Sequence, residues 1–105
     1  MTDKLWKAAE RTIGHQLGAR RMGPGGDRAD LRSEWLCVEV KSRIRLPAWL
    51  KAGLGQARHY ALPAQLPLLI LHENGQPYAA AMVCMTLADF RQWFGGLPGD
   101  DTKST

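Results

Sequence analysis

The chain has little cysteine and no long apolar run. Its 105 residues include two cysteines, Cys37 and Cys84, with no Cys-x-x-Cys pattern and no pair of histidines at ligand spacing. This pattern predicts reduced core thiols rather than a disulfide or a metal site built on cysteine. No apolar run approaches the roughly 20 residues of a membrane-spanning helix, and we recognise no signal peptide. We therefore expect a cytoplasmic protein with no membrane partner.

Basic side chains outnumber acidic ones. Fourteen Lys and Arg stand against ten Asp and Glu, which gives a formal net charge of +4 and a pI near 9.4. Such a balance favours a polyanionic partner whose affinity falls as salt rises. Many basic proteins bind no nucleic acid, so charge alone only favours this class of partner. The chain length fits one domain over 1–94, and the Gly, Pro, Asp, Ser and Thr of 95–105 predict a flexible tail.

Apolar periodicity and turn residues predict the order of the secondary-structure elements. Thr86, with Asp89 three residues later, predicts the start of a last helix. This order indicates an α/β or α+β protein with a mixed central β-sheet flanked by helices. The predicted elements are a helix over 3–18, strands over 29–32 and 35–43, a helix over 47–61, strands over 66–72 and 78–85, and the last short helix.

An acidic and basic patch is predicted where the first two strands form a hairpin. Side chains alternate along a strand, so Glu39 and Lys41 share one face. A two-residue turn over 33–34 would place Asp30 opposite Cys37, on that same face and one diagonal step from Glu39. Two carboxylates and an ammonium group would then lie close together.

This patch has the chemistry of a Mg²⁺ site, with Mn²⁺ as a possible substitute. Asp30 and Glu39 would hold one or two ions, with the main-chain carbonyl of Val40 as a further ligand. Such a site suits phosphodiester hydrolysis, because bound metal neutralises phosphate and lowers the pKa of a bound water. Lys41 would orient or deprotonate that water. Asp27 is a weaker rival for the strand ligand, and the plain alternative is a solvated Glu-x-Lys strand.

Two residues outside the hairpin are candidates for the same site. Glu10 lies at the edge of the apolar stripe of the first helix, where it can reach the sheet or remain an ordinary exposed glutamate. Gln56 shares a helical face with Trp49 and Tyr60, so we expect a core-facing amide that finds partners near Glu39, or else a half-exposed one. Basic residues predicted to contact nucleic acid are Lys7, Arg11, Arg20, Arg21, Arg28, Arg43 and Arg45.

The pattern resembles the PD-(D/E)xK nuclease superfamily and, within it, the small Holliday junction resolvases of archaea and phages. The resemblance covers roughly residues 5–85. It rests on Glu10 in the first helix, the Gly-rich loop before Asp30, the Glu-Val-Lys of 39–41 and Gln56 in the next helix. Alanine precedes Asp30, where the superfamily motif has proline.

The resemblance implies a restriction-endonuclease-like core and a metal-dependent endonuclease. It also implies a homodimer that cuts paired strands of a branched DNA, the four-way junction. Carried over by motif, the catalytic set is Glu10, Asp30, Glu39 and Lys41, with Gln56 in support.

Other functions fit the same residues less well. Within the same fold, the chain could be another structure-specific, nicking or repair nuclease. A different class is a non-catalytic DNA-binding subunit, although such a module has no reason to hold two carboxylates against phosphate without metal. A third class is a protein-interaction domain that exposes Trp35, Trp49 and Trp93, but tryptophans at these spacings are more often core residues.

Overall fold

The structure is a computed structural model that describes residues 2–23 and 29–95. Within these ranges it contains helices and antiparallel strands, which confirms the predicted mixture of α and β structure. The elements are α1 (Thr2–Leu17), β1 (Arg20–Arg21), β2 (Leu31–Arg32), β3 (Cys37–Val38), α2 (Ala48–Tyr60), β4 (Leu69–Leu71), β5 (Met82–Cys84) and α3 (Leu87–Phe94), with a 3₁₀ turn at Tyr78–Ala80.

The strands form two small sheets instead of the predicted central sheet. One has the order β1-β2-β3 and the other pairs β4 with β5, and every described pairing is antiparallel. The predicted strand over 35–43 is much shorter, because ladder pairing stops at Val38. Among the described residues, no helix is both long and apolar enough to cross a membrane.

The chain divides into two compact units, one of Met1–Arg43 with Phe94–Thr105 and one of Ile44–Trp93. The prediction of one domain over 1–94 stays a prediction. The predicted tail over 95–105 falls outside the described residues except for its first residue, and most of the predicted loop over 22–29 also falls outside them.

In the first unit, α1 ends at a glycine, as its sequence predicts. Gly18 has a φ of 65°, a left-handed conformation that glycine adopts without steric cost. The N–H of Ala19 donates to the carbonyl of Gly14 at 2.8 Å, and the N–H of Gly18 donates to that of His15 at 3.3 Å. These are the two hydrogen bonds of a Schellman motif. The motif turns the chain back so that β1 follows directly.

Leu31 is the centre of the small core in this unit. It is fully buried, with 0% of its surface exposed, and Leu17 is buried as well. A Cβ added to Gly14 would lie 2.9 Å from Leu31 Cδ2 and 2.7 Å from the main-chain oxygen of Ala19. The lack of a side chain at this position is therefore what lets α1 approach the sheet so closely.

The hairpin between β2 and β3 turns one residue later than predicted. Ser33 and Leu36 flank the turn: the N–H of Ser33 donates to the Leu36 carbonyl at 2.9 Å, and the N–H of Leu36 donates to Ser33 Oγ at 3.2 Å. Arg32 therefore pairs with Cys37, and Leu31 pairs with Val38. The prediction of a turn over 33–34 was wrong. The turn is over 34–35, because the Ser33 hydroxyl accepts the Leu36 N–H and makes Ser33 and Leu36 the two residues that flank it.

In the second unit, α2 packs on β4 through a glycine. A Cβ at Gly53 would lie 3.0 Å from Leu69 Cδ1, so the lack of a side chain there lets the helix approach the strand closely. The predicted core face of α2 was wrong beyond this point. Trp49 is 63% exposed, Tyr60 is 77% exposed and Gln56 is also exposed. The three side chains share a helical face, but β4 packs against this face near Gly53 and leaves them exposed.

The loop between β4 and β5 contains a turn over 73–76 and is longer than a tight hairpin. Gly75 has a φ of 89°, and the N–H of Gln76 donates to the carbonyl of Glu73 at 3.1 Å. The 3₁₀ turn that starts at Tyr78 then delays the strand to Met82. The predicted strand over 78–85 was therefore too long, and His72, whose ring stacks on that of Tyr78 with 4.6 Å between centroids, lies within this loop.

The start of α3 is confirmed as predicted. Thr86 Oγ1 accepts a hydrogen bond from the Asp89 N–H at 3.1 Å, which is an N-cap interaction. The Asp89 carboxylate does not complete a capping box but accepts from Arg58 Nη2 at 2.5 Å. Arg58 also donates to Thr86 Oγ1 at 3.2 Å, which ties α2 to the beginning of α3.

The close approach at Gly14 predicts opposite effects for two Gly→Ala substitutions. Gly14→Ala should destabilise the protein by about 1–3 kcal/mol, because the new methyl group meets main-chain atoms that cannot give way. Gly55→Ala should stabilise it by about 0.5–1 kcal/mol, since it lies within α2 and nothing lies within 4 Å of the new Cβ. Thermal unfolding followed by circular dichroism tests both, and a Gly14→Ala variant that melts no lower than wild type would contradict the packing.

Candidate functional site

Two carboxylates face each other at the end of the β2–β3 hairpin. The observed register, continued by one pair, places Asp30 directly opposite Glu39. Asp30 Oδ2 accepts a hydrogen bond from the Val40 N–H at 2.7 Å, and Glu39 Oε1 accepts one from the Asp30 N–H at 3.2 Å. The two acidic side chains thus join the strands where the ladder ends. We refer to Asp30 and Glu39 as the acid pair.

The later turn changes the partner of Asp30 but preserves its face. Asp30 was expected opposite Cys37 and diagonal to Glu39; it is instead opposite Glu39 itself. A shift of two positions along β3 returns to the same face because side chains alternate with a period of two. The predicted convergence of Asp30 with Glu39 is therefore tighter than a diagonal pair.

The acid pair carries an electrostatic cost that a cation would remove. Hydrogen-bonded and non-hydrogen-bonded pairs alternate along an antiparallel ladder, and Ser33 and Leu36 form a hydrogen-bonded pair. The ladder ends at Leu31 and Val38, and Asp30 and Glu39 follow it directly, so their two carboxylates lie close to each other at its end. Like charges that lie directly opposite are destabilising. The hairpin thus places two negative charges where a positive ion between them would stabilise it.

Lys41 lies next to the acid pair. Its Nζ is 3.7 Å from Glu39 Oε2, and both side chains are largely exposed, at 69% and 55%. An exposed ion pair of this length contributes little to stability. Because the contact is weak, Lys41 can turn towards a bound anion without loss to the fold.

The donor set fits a hard cation such as Mg²⁺. Main-chain N–H groups donate to Oδ2 of Asp30 and Oε1 of Glu39, and Lys41 Nζ lies 3.7 Å from Oε2 of Glu39. Within the described ranges, no cluster of three or more His, Cys, Asp or Glu side chains could hold a metal. Mg²⁺ is commonly held by one or two carboxylates, with waters and substrate oxygens completing its shell. The carbonyl of Val40 is the further protein ligand predicted from the sequence.

Glu10 occupies the predicted position but is held by a different partner. It is buried, with 8% of its surface exposed, and its Oε1 accepts from Arg21 Nε at 3.1 Å. Arg21 pairs with Leu31 across β1 and β2, so both lie on the face that α1 covers. Asp30 lies on the other face of the sheet. The described contacts therefore join Glu10 to Arg21 and do not bring it to the acid pair.

The other predicted residues are placed as follows. Gln56 and Arg45 belong to the second unit, and both are exposed. Arg43 Nη1 donates to the carbonyl of Ser42 at 2.9 Å. Lys7 is exposed, with its Nζ 5.7 Å from the centroid of the Trp6 ring. The predicted contact residue Arg28 and the rival ligand Asp27 lie outside the described residues.

Three of the predicted nucleic-acid contacts converge on one hollow. It has a volume of about 650 Å³ and lies between the end of α1 and β1. Arg11, Arg20 and Arg21 line it together with His15. Three arginines thus line one hollow, and the side chain of one of them, Arg21, is paired with Glu10. The remaining lining residues are Thr12, Gln16 and Ala19.

Sequence reasoning missed Arg32. It lies opposite Arg20 in the register of β1 and β2, and alternation along β2 puts it on the face of Asp30. The signal was present in the two-residue spacing from Asp30 to Arg32. This spacing was not used because β1 was not predicted, and only β1 places an arginine opposite Arg32.

No protein-family model, no curated protein and no solved structure matches this chain.

The Glu10–Arg21 ion pair predicts a stability effect that is independent of any ligand. Glu10→Gln should destabilise the protein by roughly 1.5 kcal/mol, the lower end for a charged hydrogen bond, because Arg21 is 30% exposed and partly screened by water. Glu73→Gln is the matched control, since this glutamate is exposed in the loop after β4. Urea unfolding measures both. Equal midpoints for the two variants would show that the ion pair does not support the fold.

Proposed function

We propose that the chain is a Mg²⁺-dependent endonuclease of the PD-(D/E)xK type that hydrolyses phosphodiester bonds in DNA. The observation that carries this proposal is the acid pair: two carboxylates directly opposite each other, tied to main-chain N–H groups, with Lys41 next to them. A cation held by the two carboxylates would add to the compensation that the main-chain N–H groups and Lys41 already provide, and the Lys41 ammonium group would then contact a phosphate bound to that cation.

Each residue of the site has a distinct role in this reaction. Asp30 and Glu39 would hold the cation, and their hydrogen bonds to main-chain N–H groups keep the carboxylates in orientation. Mg²⁺ bound there supplies charge neutralisation of the phosphate and an acidified water. Lys41, as an ammonium group, would orient the attacking water and offset charge at the scissile phosphate.

The substrate in this proposal is branched DNA, cut by a homodimer. The net charge of +4 and the basic hollow at Arg11, Arg20 and Arg21 support a DNA partner, because phosphate contacts provide most of the affinity for nucleic acid. The restriction-endonuclease-like core, the dimer and the choice of a four-way junction come from the family resemblance and are part of the same proposal.

The experiment that tests it is cleavage of a labelled four-way junction in Mg²⁺, beside linear, nicked and single-stranded DNA of the same sequence. Asp30→Asn and Glu39→Gln should each lower the rate at least about 100-fold, as expected when one electrostatic group is lost from a hydrolytic site. Both substitutions keep an acceptor oxygen for the main-chain N–H groups, so folding is retained. DNA affinity should be unchanged or higher, because each variant removes a negative charge.

Glu73→Gln is the matched control and should cut at the wild-type rate. Symmetric cuts in the junction alone would support a resolvase, whereas cuts in the other substrates would support a nuclease of broader specificity. Binding without cleavage of any substrate, in Mg²⁺ or Mn²⁺, would overturn the nuclease. That result would favour a DNA-binding subunit, in agreement with a Glu10 that is paired to Arg21 instead of to the site.

Substitution of Lys41 should slow the chemical step without weakening metal binding. Lys41→Ala should slow single-turnover cleavage about 100-fold, as expected when one electrostatic group is lost, while Mn²⁺ affinity measured by electron paramagnetic resonance changes less than about twofold. Lys51→Ala, an exposed change within α2, controls for the loss of one positive charge. A Lys41→Ala variant that cuts as fast as Lys51→Ala would remove Lys41 from the mechanism.

A further inference from the structure

The three-stranded sheet carries a second pair of like charges, made of arginines. Arg20 of β1 lies directly opposite Arg32 of β2, and both are exposed. The N–H of Met22 donates to the Asp30 carbonyl at 3.1 Å, so by alternation Arg20 and Arg32 form a hydrogen-bonded pair with roughly 5.5 Å between Cα atoms. Like charges at this separation repel. The repulsion becomes an attraction if an anion lies between the two guanidinium groups.

The arginine pair and the acid pair share one face of the sheet. Leu31 is fully buried on the opposite face, so its neighbours Asp30 and Arg32 both project away from α1. Two residues along a strand span about 6.6–6.8 Å. A cation held by the acid pair and an anion held by the arginine pair would therefore lie side by side, as a metal and a phosphate do on a nucleic acid strand.

A hollow adjoins the arginine pair. Its volume is about 390 Å³, and both Arg20 and Arg32 line it. Ser33 is also in its wall, and its hydroxyl, which accepts from the Leu36 N–H, keeps its own proton to donate. Glu34 places one carboxylate in the same wall. The remaining lining residues are Gly18 and Met22.

We propose that Arg20 and Arg32 together bind one backbone phosphate of the nucleic acid, next to the phosphate that is cleaved. The planar guanidinium fork suits phosphate oxygens, and two forks from opposed strands can hold the same group. The contact carries no base specificity, because phosphates are the same in every sequence. This inference rests on the proposed function for the position of the strand, but it is tested by binding alone.

The test is fluorescence anisotropy of the full chain with a labelled four-way junction and a labelled duplex, in EDTA so that no cleavage occurs. Arg20→Ala and Arg32→Ala should each weaken binding about tenfold at 100 mM salt. Each should also lower the slope of log affinity against log salt by about one. The double variant should lose little more than either single variant, because both side chains hold one phosphate.

Matched variants separate this site from general charge. Lys51→Ala removes one positive charge from the second unit and should lower the salt slope by much less than one. Glu34→Gln should tighten binding several-fold, since it removes the carboxylate from the hollow, whereas Glu73→Gln should not. Arg20→Ala and Arg32→Ala should melt at or above the wild-type temperature, because each relieves repulsion, so weaker binding cannot be ascribed to unfolding.

The outcomes distinguish the site from the nuclease. The shared phosphate site would be overturned if both arginine variants bind DNA with the wild-type affinity and the wild-type salt slope. It would also be overturned if the losses of binding free energy in the double variant are strictly additive. Either conclusion holds even if Glu39→Gln still abolishes cleavage. Weakened, non-additive binding would support it even if no DNA is cut. Binding of inorganic phosphate alone that is tighter than binding of the DNA, and that is lost in both arginine variants, would instead identify a site for free phosphate and overturn the nucleic acid assignment.

Discussion

Burial of Leu31 controls the geometry of the first unit. The side chain is fully enclosed, and Gly14 on α1 leaves the space that it fills. Once Leu31 points inward, strand alternation directs Asp30 and Arg32 outward. A slip of one residue would expose Leu31 and bury an acid and a base together, at a cost of several kcal/mol. One apolar contact thus determines which charged residues lie on the open face.

That open face carries two pairs of like charges, one pair negative and the other positive. Asp30 faces Glu39 across one pair of strands, and Arg20 faces Arg32 across the neighbouring pair. Each pair brings like charges near each other, and each would be stabilised by a ligand of opposite charge. Because a metal ion and a phosphate are such ligands and occur together on nucleic acids, a single physical feature supports both the proposed hydrolysis and the proposed phosphate contact.

Local patterns in the sequence were sufficient to predict the helices and the two residues of the acid pair. The stripe ending at Leu17 with Gly18, and the cap at Thr86, are confirmed because such signals act within a few residues. The Glu-x-Lys spacing placed Glu39 near Lys41 for the same reason. The core face proposed for α2 failed at Trp49 and Tyr60, since burial depends on what packs against a helix and not on its periodicity.

The amino-acid sequence alone predicted that Asp30, Glu39 and Lys41 would lie near one another, because residues two apart in an extended chain project to the same side, and the three are in contact although β3 ends before Glu39. Tertiary structure decided the partners. The hydrogen bond to the Ser33 hydroxyl fixed the position of the turn, and the turn placed Asp30 next to Glu39. The strand β1 placed Arg20 opposite Arg32, and this strand is too short to be predicted from a residue pattern. Contacts between distant segments depend on packing and register, and no local pattern encodes them.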